Sequence, residues 1–228
     1  MLAGRPLPRP ATLNYVDVRR LVQAALFLPI LAATLLPAQR PVANQPVIVC
    51  YGDSITAGRG LDYAQAYPEI LQKKLDAEGY RYKVVNDGTS GATTADALAG
   101  LSYLLKLHPA IAIVEFGGND GLRGTPVAET RSNLDQLLTQ LEKNHVKIVF
   151  AGITLPPDYG PDYIHSFQDM FRDVAARHHV AFIPMLYKNL EHVPGTIQSD
   201  GIHPTAKGSA IIADTVLAAL KPLLRKGP

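Results

Sequence analysis

The chain has 228 residues, of which 47% are apolar and 18% charged, and a formal net charge of +2. This composition is ordinary for one well-cored globular domain and excludes a disordered chain. The positive charge comes from the first 38 residues, which hold four arginines against one aspartate. Since the rest of the chain is nearly neutral, nucleic acid is not an expected partner.

The N-terminal segment has the pattern of an export signal. Two adjacent arginines precede an apolar stretch, Ala24 to Leu36, which contains Pro29 and is too short to cross a bilayer comfortably. Small residues follow at Ala38 and Ala43. We expect a signal peptide over residues 1–38, with cleavage at Ala38 or Ala43, and a flexible lead-in over residues 39–46. The mature protein would then be periplasmic or secreted without a stable membrane span; an uncleaved membrane anchor is the alternative.

The first predicted strand begins at Val47 and reads "VIVCYG", a run rich in β-branched residues that suits a buried strand. It ends abruptly at Asp53 and Ser54. The only cysteine, Cys50, lies inside this run, so no intramolecular disulfide is possible and the thiol is best interpreted as a small buried apolar group.

Further strands and helices alternate along the remaining chain. Similar β-rich runs begin at Tyr82, Ala110, Val146 and Val180. Helix-period apolar spacing marks the segments Glu69 to Gly79, Leu134 to Leu141 (with Thr125 as a possible cap), Tyr163 to Val174, and Ile212 to Leu220. This alternation predicts an α/β fold in one domain, residues 47–223, with a five-stranded parallel sheet and helices on both faces.

The segments that follow these strands carry the residues with chemical potential. In open parallel sheets, ligands bind outside the carboxyl ends of the strands. Ser54 follows the first strand, and "SDGIHP", with Asp200 and His203, follows the fifth. A serine becomes a good nucleophile when a neutral imidazole accepts its proton and a carboxylate fixes the tautomer of that imidazole. We therefore predict a catalytic triad of Ser54, His203 and Asp200.

Two other loops supply candidate donors for a negatively charged oxygen. The backbone N–H groups of Ser54 and Gly91 and the side-chain amide of Asn119 could stabilise the oxyanion that forms when an ester carbonyl is attacked. Gly88, three residues before Gly91, is an alternative donor. The adjacent histidines at 178 and 179 have no convincing third ligand nearby, so no metal is expected.

Taken together, these motifs resemble the SGNH (GDSL-type) hydrolases, and more closely the bacterial multifunctional thioesterase, lysophospholipase and arylesterase group. The resemblance extends from Val47 to Leu223 through the blocks "YGDSITAG", "SGATT", "FGGNDGLRG" and "DGIHP". It implies a flavodoxin-like three-layer α/β/α sandwich that needs no cofactor. It also implies that Ser54, Gly91, Asn119, Asp200 and His203 are the functional residues.

The expected substrate is a small-molecule acyl ester or lipid. Apolar or amphipathic residues occur in loops near the expected cleft, at Leu122, Leu155, Pro156, Pro157, Tyr159 and Tyr163. They favour short to medium acyl or aryl esters, and the resemblance adds thioesters and lysophospholipids. Two alternatives remain: a carbohydrate acetylesterase, which the absence of tryptophan disfavours, and a non-catalytic nucleotide- or flavin-binding protein of the same fold.

Overall fold

A computed structural model describes residues 45–190 and 192–226, so the expected signal peptide lies outside the described residues. The core is one sheet in the order β2-β1-β3-β4-β5, and all four strand pairs are parallel. The strands are β1 Val47–Gly52, β2 Lys83–Gly88, β3 Pro109–Glu115, β4 Lys147–Ala151 and β5 Ala181–Ile183. Each strand begins within one residue of its predicted start, and the predicted α/β class is confirmed.

Helices cover both faces of this sheet, as predicted. They are α1 Ser54–Ala57, α2 Tyr67–Ala77, α3 Thr94–Leu105, α4 Gly118–Leu122, α5 Val127–Lys143, α6 Pro161–His178 and α7 Ala206–Leu220. Alternate strand residues point to opposite faces. Val49 and Val114 pack with α3, α5 and α6, whereas Ile48 and Ile113 pack with α2 and α7. The result is the expected three-layer sandwich.

Two helices differ from the sequence-based prediction. Helix α5 begins at Val127 with Pro126 as its N-cap and no side-chain capping hydrogen bond, so the proposed Thr125 cap is wrong. Pro126 has a φ of −55° and a ψ of 131°, so its backbone is not helical, as is typical of an N-cap residue. Helix α3 had no predicted apolar stripe, yet Thr93 begins it with a reciprocal capping box, in which Thr93 accepts from the Asp96 N–H and Asp96 accepts from the Thr93 N–H.

The turn between β1 and α1 is packed so tightly that its glycine cannot be replaced without displacement of its neighbours. A Cβ at Gly52 would lie 2.1 Å from the Thr56 hydroxyl oxygen and 2.6 Å from a Glu115 carboxyl oxygen. Asp53 caps the short helix by accepting a hydrogen bond from the Ile55 N–H at 3.0 Å. Gly52 pairs in register with Gly88 of β2 and Glu115 of β3, so three strands end side by side beneath Ser54.

Strand β1 is buried, as expected for its apolar sequence. Cys50 is fully buried, and this burial raises the pKa of its thiol far above the ordinary value. It therefore behaves as a core residue. Among residues 45–190 and 192–226, none of the helices combines the length and the hydropathy needed to cross a bilayer.

Candidate active site

The structure brings Ser54 and His203 into contact although 149 positions separate them in the chain. Ser54 is the first residue of α1, and His203 lies in the loop between β5 and α7. The Nε2 atom of His203 lies 2.9 Å from the Ser54 Oγ atom, and its Nδ1 atom lies 2.6 Å from the Asp200 Oδ2 atom. Hydroxyl, imidazole and carboxylate thus form one continuous hydrogen-bonded chain.

Backbone hydrogen bonds hold Asp200 in this chain. Its Oδ1 atom accepts from the N–H groups of Ile202 and His203, both at 3.0 Å, while Gly201 makes the turn at a φ of 74°. The same two hydrogen bonds, followed by the one from the His203 ring, hold the pKa of the Asp200 carboxyl well below its usual range. Because an ionised carboxylate can only accept, Nδ1 of His203 carries the proton and Nε2 is left to accept from Ser54.

Two of the three proposed oxyanion donors are backbone groups with no partner. Within the described ranges, the N–H groups of Ser54 and Gly91 donate to no protein acceptor. The N–H of Gly88 instead donates to the Asn86 side chain at 3.1 Å, which favours Gly91 over Gly88. Gly91 has a φ of 83°, and a Cβ there would meet only Arg123, at 3.7 Å. Its backbone conformation, and not close packing, explains the glycine.

The third donor, Asn119, is already hydrogen-bonded on both sides. Helix α4 places its amide nitrogen 3.0 Å from the Asp53 Oδ2 atom and 2.9 Å from the Ala92 carbonyl oxygen. This side chain therefore ties the loops after β1 and β2 to the loop after β3. A substrate oxygen would have to share one of its two amide hydrogens.

A cleft of about 390 Å³ opens beside Ser54 and His203, and Asn119 also lines it. One wall is apolar and is formed by Leu122, Ile153, Leu155, Pro156 and Pro157. Other lining residues, which the sequence did not point to, include Arg59, Leu186, Tyr187 and Ile202. An acyl or aryl group placed against this wall would have its carbonyl near the serine.

Two tyrosines expected near the cleft support its loops. Tyr159 and Tyr163 are absent from the cleft lining. Their hydroxyl groups donate to the carbonyl oxygens of Leu122 at 2.8 Å and Thr125 at 3.2 Å, and their rings stack with centroids 6.4 Å apart. They lie near the cleft without lining it, because their hydroxyl groups tie this segment to the loop after β3, which carries the lining residue Leu122.

Two buried acids lie behind the nucleophile, and sequence reasoning missed both. Asp53 is 2% exposed, and burial raises the pKa of its carboxyl to about 6, although the Ile55 N–H and the nearby His203 ring oppose the shift. Glu115 is fully buried at the end of β3, and burial and then the Asp53 charge raise the pKa of its carboxyl well above the ordinary value. A glutamate that ends an otherwise apolar strand is the sequence signal that could have indicated such a site.

Known proteins are similar to this chain in both sequence and fold. The chain is 41% identical to the esterase TesA of Pseudomonas aeruginosa over 201 residues, which covers 88% of this chain and 99% of the relative. It is 34% identical to the thioesterase 1/protease 1/lysophospholipase L1 of Escherichia coli, covering 86% and 93%. A crystal structure of the psychrotrophic esterase EstA from a Pseudoalteromonas species, inhibited by monoethylphosphonate, is 29% identical with a TM-score of 0.74 and covers 78% of this chain and 98% of that one.

These likenesses, on a parallel α/β sandwich with this site, define the class of protein: the chain is a carboxylic ester hydrolase. The model of the GDSL-like lipase/acylhydrolase family matches residues 50–211. The matched range begins in β1 and ends in α7. The protein therefore belongs to the GDSL-like lipase/acylhydrolase family.

Proposed function

We propose that this protein cleaves acyl esters through Ser54, His203 and Asp200, with an acyl-enzyme intermediate. The observation that carries the proposal is the continuous chain of contacts, 2.9 Å from the Ser54 oxygen to the imidazole and 2.6 Å from the imidazole to Asp200. This is the arrangement that turns a serine hydroxyl into a nucleophile. No cofactor is required for these steps.

The first half of the reaction forms the acyl-enzyme. Nε2 of His203 takes the Ser54 proton as the oxygen attacks the acyl carbonyl carbon, and Asp200 stabilises the imidazolium. The N–H groups of Ser54 and Gly91 and the Asn119 amide would stabilise the oxyanion. His203 then donates its proton to the leaving alcohol or thiol as the carbon–oxygen or carbon–sulfur bond breaks.

Water completes the cycle. It attacks the acyl-enzyme carbonyl while His203 removes a proton from the water, and the same donors stabilise the second oxyanion. His203 finally returns that proton to Ser54 as the acid leaves.

Short to medium acyl esters and aryl esters are the proposed substrates. The apolar wall of the cleft suits a hydrocarbon chain. Relatives are named an esterase, an arylesterase and a thioesterase/lysophospholipase, so thioesters and lysophospholipids are included in the proposal.

Labelling with a fluorophosphonate tests the nucleophile directly. The purified protein should release p-nitrophenol from p-nitrophenyl butyrate, lose this activity on labelling, and carry the label on the peptide that contains Ser54. The inhibition of the Pseudoalteromonas relative by a phosphonate supports this choice of reagent. Inactivation by a label located on another residue would refute the assignment.

Chain-length selectivity should depend on the apolar wall. Leu122→Ser is expected to lower kcat/KM for p-nitrophenyl octanoate by about tenfold, because contact with roughly two methylene groups is lost. The value for p-nitrophenyl acetate should change less than twofold, since its methyl group is too short to reach the wall.

The matched control for this substitution is Leu105→Ser, a half-buried leucine at the end of α3 that does not line the cleft. It should leave the ratio of the two substrates unchanged. An equal loss for octanoate and acetate in Leu122→Ser would contradict an acyl-binding role for the wall.

For the whole chain, we propose residues 1–38 as a signal peptide, residues 39–46 as a lead-in and residues 47–223 as the hydrolase domain, with a periplasmic or secreted mature protein. The short apolar stretch beside two arginines supports this proposal. N-terminal sequencing of the exported protein tests it, and an intact N-terminus would favour the membrane anchor.

A further inference from the structure

Glu115 is a fully buried carboxyl group that the proposed mechanism does not use. It is the last residue of β3 and shares the strand face of Ile111 and Ile113, which pack beneath α2 and α7. Its exposed fraction is 0%. Acidic side chains are almost never this buried unless something specific compensates, so the position of this group needs an explanation.

The contacts of Glu115 join it to the turn that presents the nucleophile. Its Oε2 atom accepts from the Thr56 hydroxyl at 2.7 Å and from the Asp53 N–H at 3.3 Å. These two residues flank Ser54 and Ile55 in the chain. The Oε1 atom is buried and has no hydrogen-bond partner among the described residues.

This asymmetry fits an uncharged acid better than an ionised one. In a protonated carboxyl group, the carbonyl oxygen has two lone pairs and can accept from two donors, while the other oxygen carries the proton. Oε2 has two donors and Oε1 has none. The Oε1–H of the neutral acid then lacks an acceptor among the described residues, which leaves one uncharged polar group unpaired. An ionised carboxylate would leave a charged oxygen unpaired in the protein interior, and this is far more costly than an unpaired neutral hydroxyl.

The groups around Glu115 offer no positive charge that would stabilise the ionised form. Asp53 faces it from the β1–α1 turn, Tyr67 reaches Thr56 from α2 at 3.2 Å, and Tyr187 approaches from the segment after β5. No lysine or arginine contacts Glu115 in the described part of the chain. The positive charge that a protonated His203 would carry acts on Asp53.

We propose that Glu115 is a positioning residue held as a neutral acid: it anchors Asp53 and Thr56, and so fixes the orientation of Ser54, without adding a negative charge behind the oxyanion site. This inference rests on the proposed role of Ser54. The anchor sets the direction of both Ser54 groups that matter, the hydroxyl and the N–H. A fixed donor stabilises a developing charge better than one that must reorganise.

Two substitutions separate the anchor from its charge. Glu115→Gln keeps an oxygen that can accept both hydrogen bonds, cannot ionise, and should retain kcat for p-nitrophenyl butyrate within about threefold. Glu115→Met is of similar size but removes the acceptor of the Asp53 N–H and of the Thr56 hydroxyl, so the Thr56 hydroxyl keeps only its contact with Tyr67. It should lower kcat by about tenfold to a hundredfold with KM changed less than twofold, a range that corresponds to one or two buried hydrogen bonds.

Rates are expressed per site that reacts with a fluorophosphonate, so unfolded protein does not contribute. The control is Thr130→Val. Thr130 is another buried residue with an unpaired polar atom, and it lies on α5 away from the cleft. This substitution should leave kcat unchanged. An unaltered kcat in Glu115→Met would overturn the positioning role. A loss in Glu115→Gln as large as that in Glu115→Met would overturn the neutral state, because it would mean that the negative charge is needed.

Unfolding experiments test the neutral state without any reference to activity. The native protein with Glu115 keeps a proton that the unfolded chain releases above its ordinary carboxyl pKa, so stability falls as pH rises from that value to the folded pKa. In Glu115→Gln no group titrates at this position, so this contribution to the pH dependence of stability is absent. Between pH 5 and 7, the ratio of the unfolding constants, wild type over Glu115→Gln, should rise about tenfold per pH unit.

A ratio that is constant with pH would show that Glu115 is ionised and would refute the proposal, whatever the kinetics show. Failure of the proposed function appears elsewhere, in Ser54 variants that remain active. The two hypotheses are therefore tested separately.

Discussion

Ser54→Ala is expected to lower kcat for p-nitrophenyl butyrate by at least about a thousandfold, because the only nucleophile proposed for the reaction is removed. His203→Ala should cause a loss of similar size. The 2.9 Å contact between the two side chains makes them one functional unit. A hydroxyl without its base is a weak nucleophile, and a base without the hydroxyl cannot form the acyl-enzyme, so the double variant should lose no more activity than either single variant.

Steady-state kinetics on the three variants test this expectation, with Ser209→Ala as the control. Ser209 is buried on α7 and its hydroxyl has no partner among the described residues, so its loss should leave kcat within twofold. Single losses that multiply in the double variant would show that the two residues act independently. More than about one tenth of the wild-type rate in Ser54→Ala would point to another nucleophile.

Asn119→Ala should lower kcat by about a hundredfold to a thousandfold, with a smaller effect on KM. Removal of one preorganised donor from an oxyanion site typically has an effect of this size, because the donor acts mainly on the charge that develops in the transition state. Asn119 is expected to reach this effect although its amide also donates to Asp53 and Ala92. Those two contacts fix its orientation before the substrate arrives.

The control for this variant is Asn133→Ala. Asn133 is a partly buried asparagine on α5 whose amide donates to the Thr94 hydroxyl at 3.1 Å, outside the cleft. Its removal should change kcat less than twofold. A loss below about fivefold in Asn119→Ala would restrict the oxyanion donors to the backbone groups of Ser54 and Gly91.

Strand positions were predictable because each buried strand is a short, β-branched run bounded by turn residues. The order of the strands was not deduced from local patterns, since it depends on how non-adjacent segments pack. Helix α3 escaped recognition because apolar residues occur on most of its surface, in "TADALAGLSYLL", so no single stripe stands out. The erroneous Thr125 cap shows the opposite problem, in which a residue that often caps helices stands one position before the actual N-cap, Pro126.

The proposed triad could be named from the sequence because Ser54 comes directly after the first predicted strand, Asp200 and His203 lie in the segment that follows the fifth, and parallel strands end at one edge. What the sequence could not supply is the hydrogen bonding between loops. Three features depend on tertiary structure: the two hydrogen bonds of the Asn119 amide, the left-handed backbone at Gly91, and the contact of the Tyr159 hydroxyl with the Leu122 carbonyl oxygen. Glu115 is an intermediate case, since period-two alternation after Ile111 and Ile113 indicates that it points inward.

The groups proposed to react with the substrate and the wall proposed to select its acyl chain come from different parts of the chain. The proposed nucleophile and oxyanion donors follow the adjacent strands β2, β1 and β3, whereas most of the apolar wall, Ile153 to Pro157, belongs to the segment after β4. Exchange of that one segment between related chains can therefore change which acyl group is accepted while the reactive atoms stay in place. Selectivity and reactivity in such a scaffold can diverge on separate evolutionary paths.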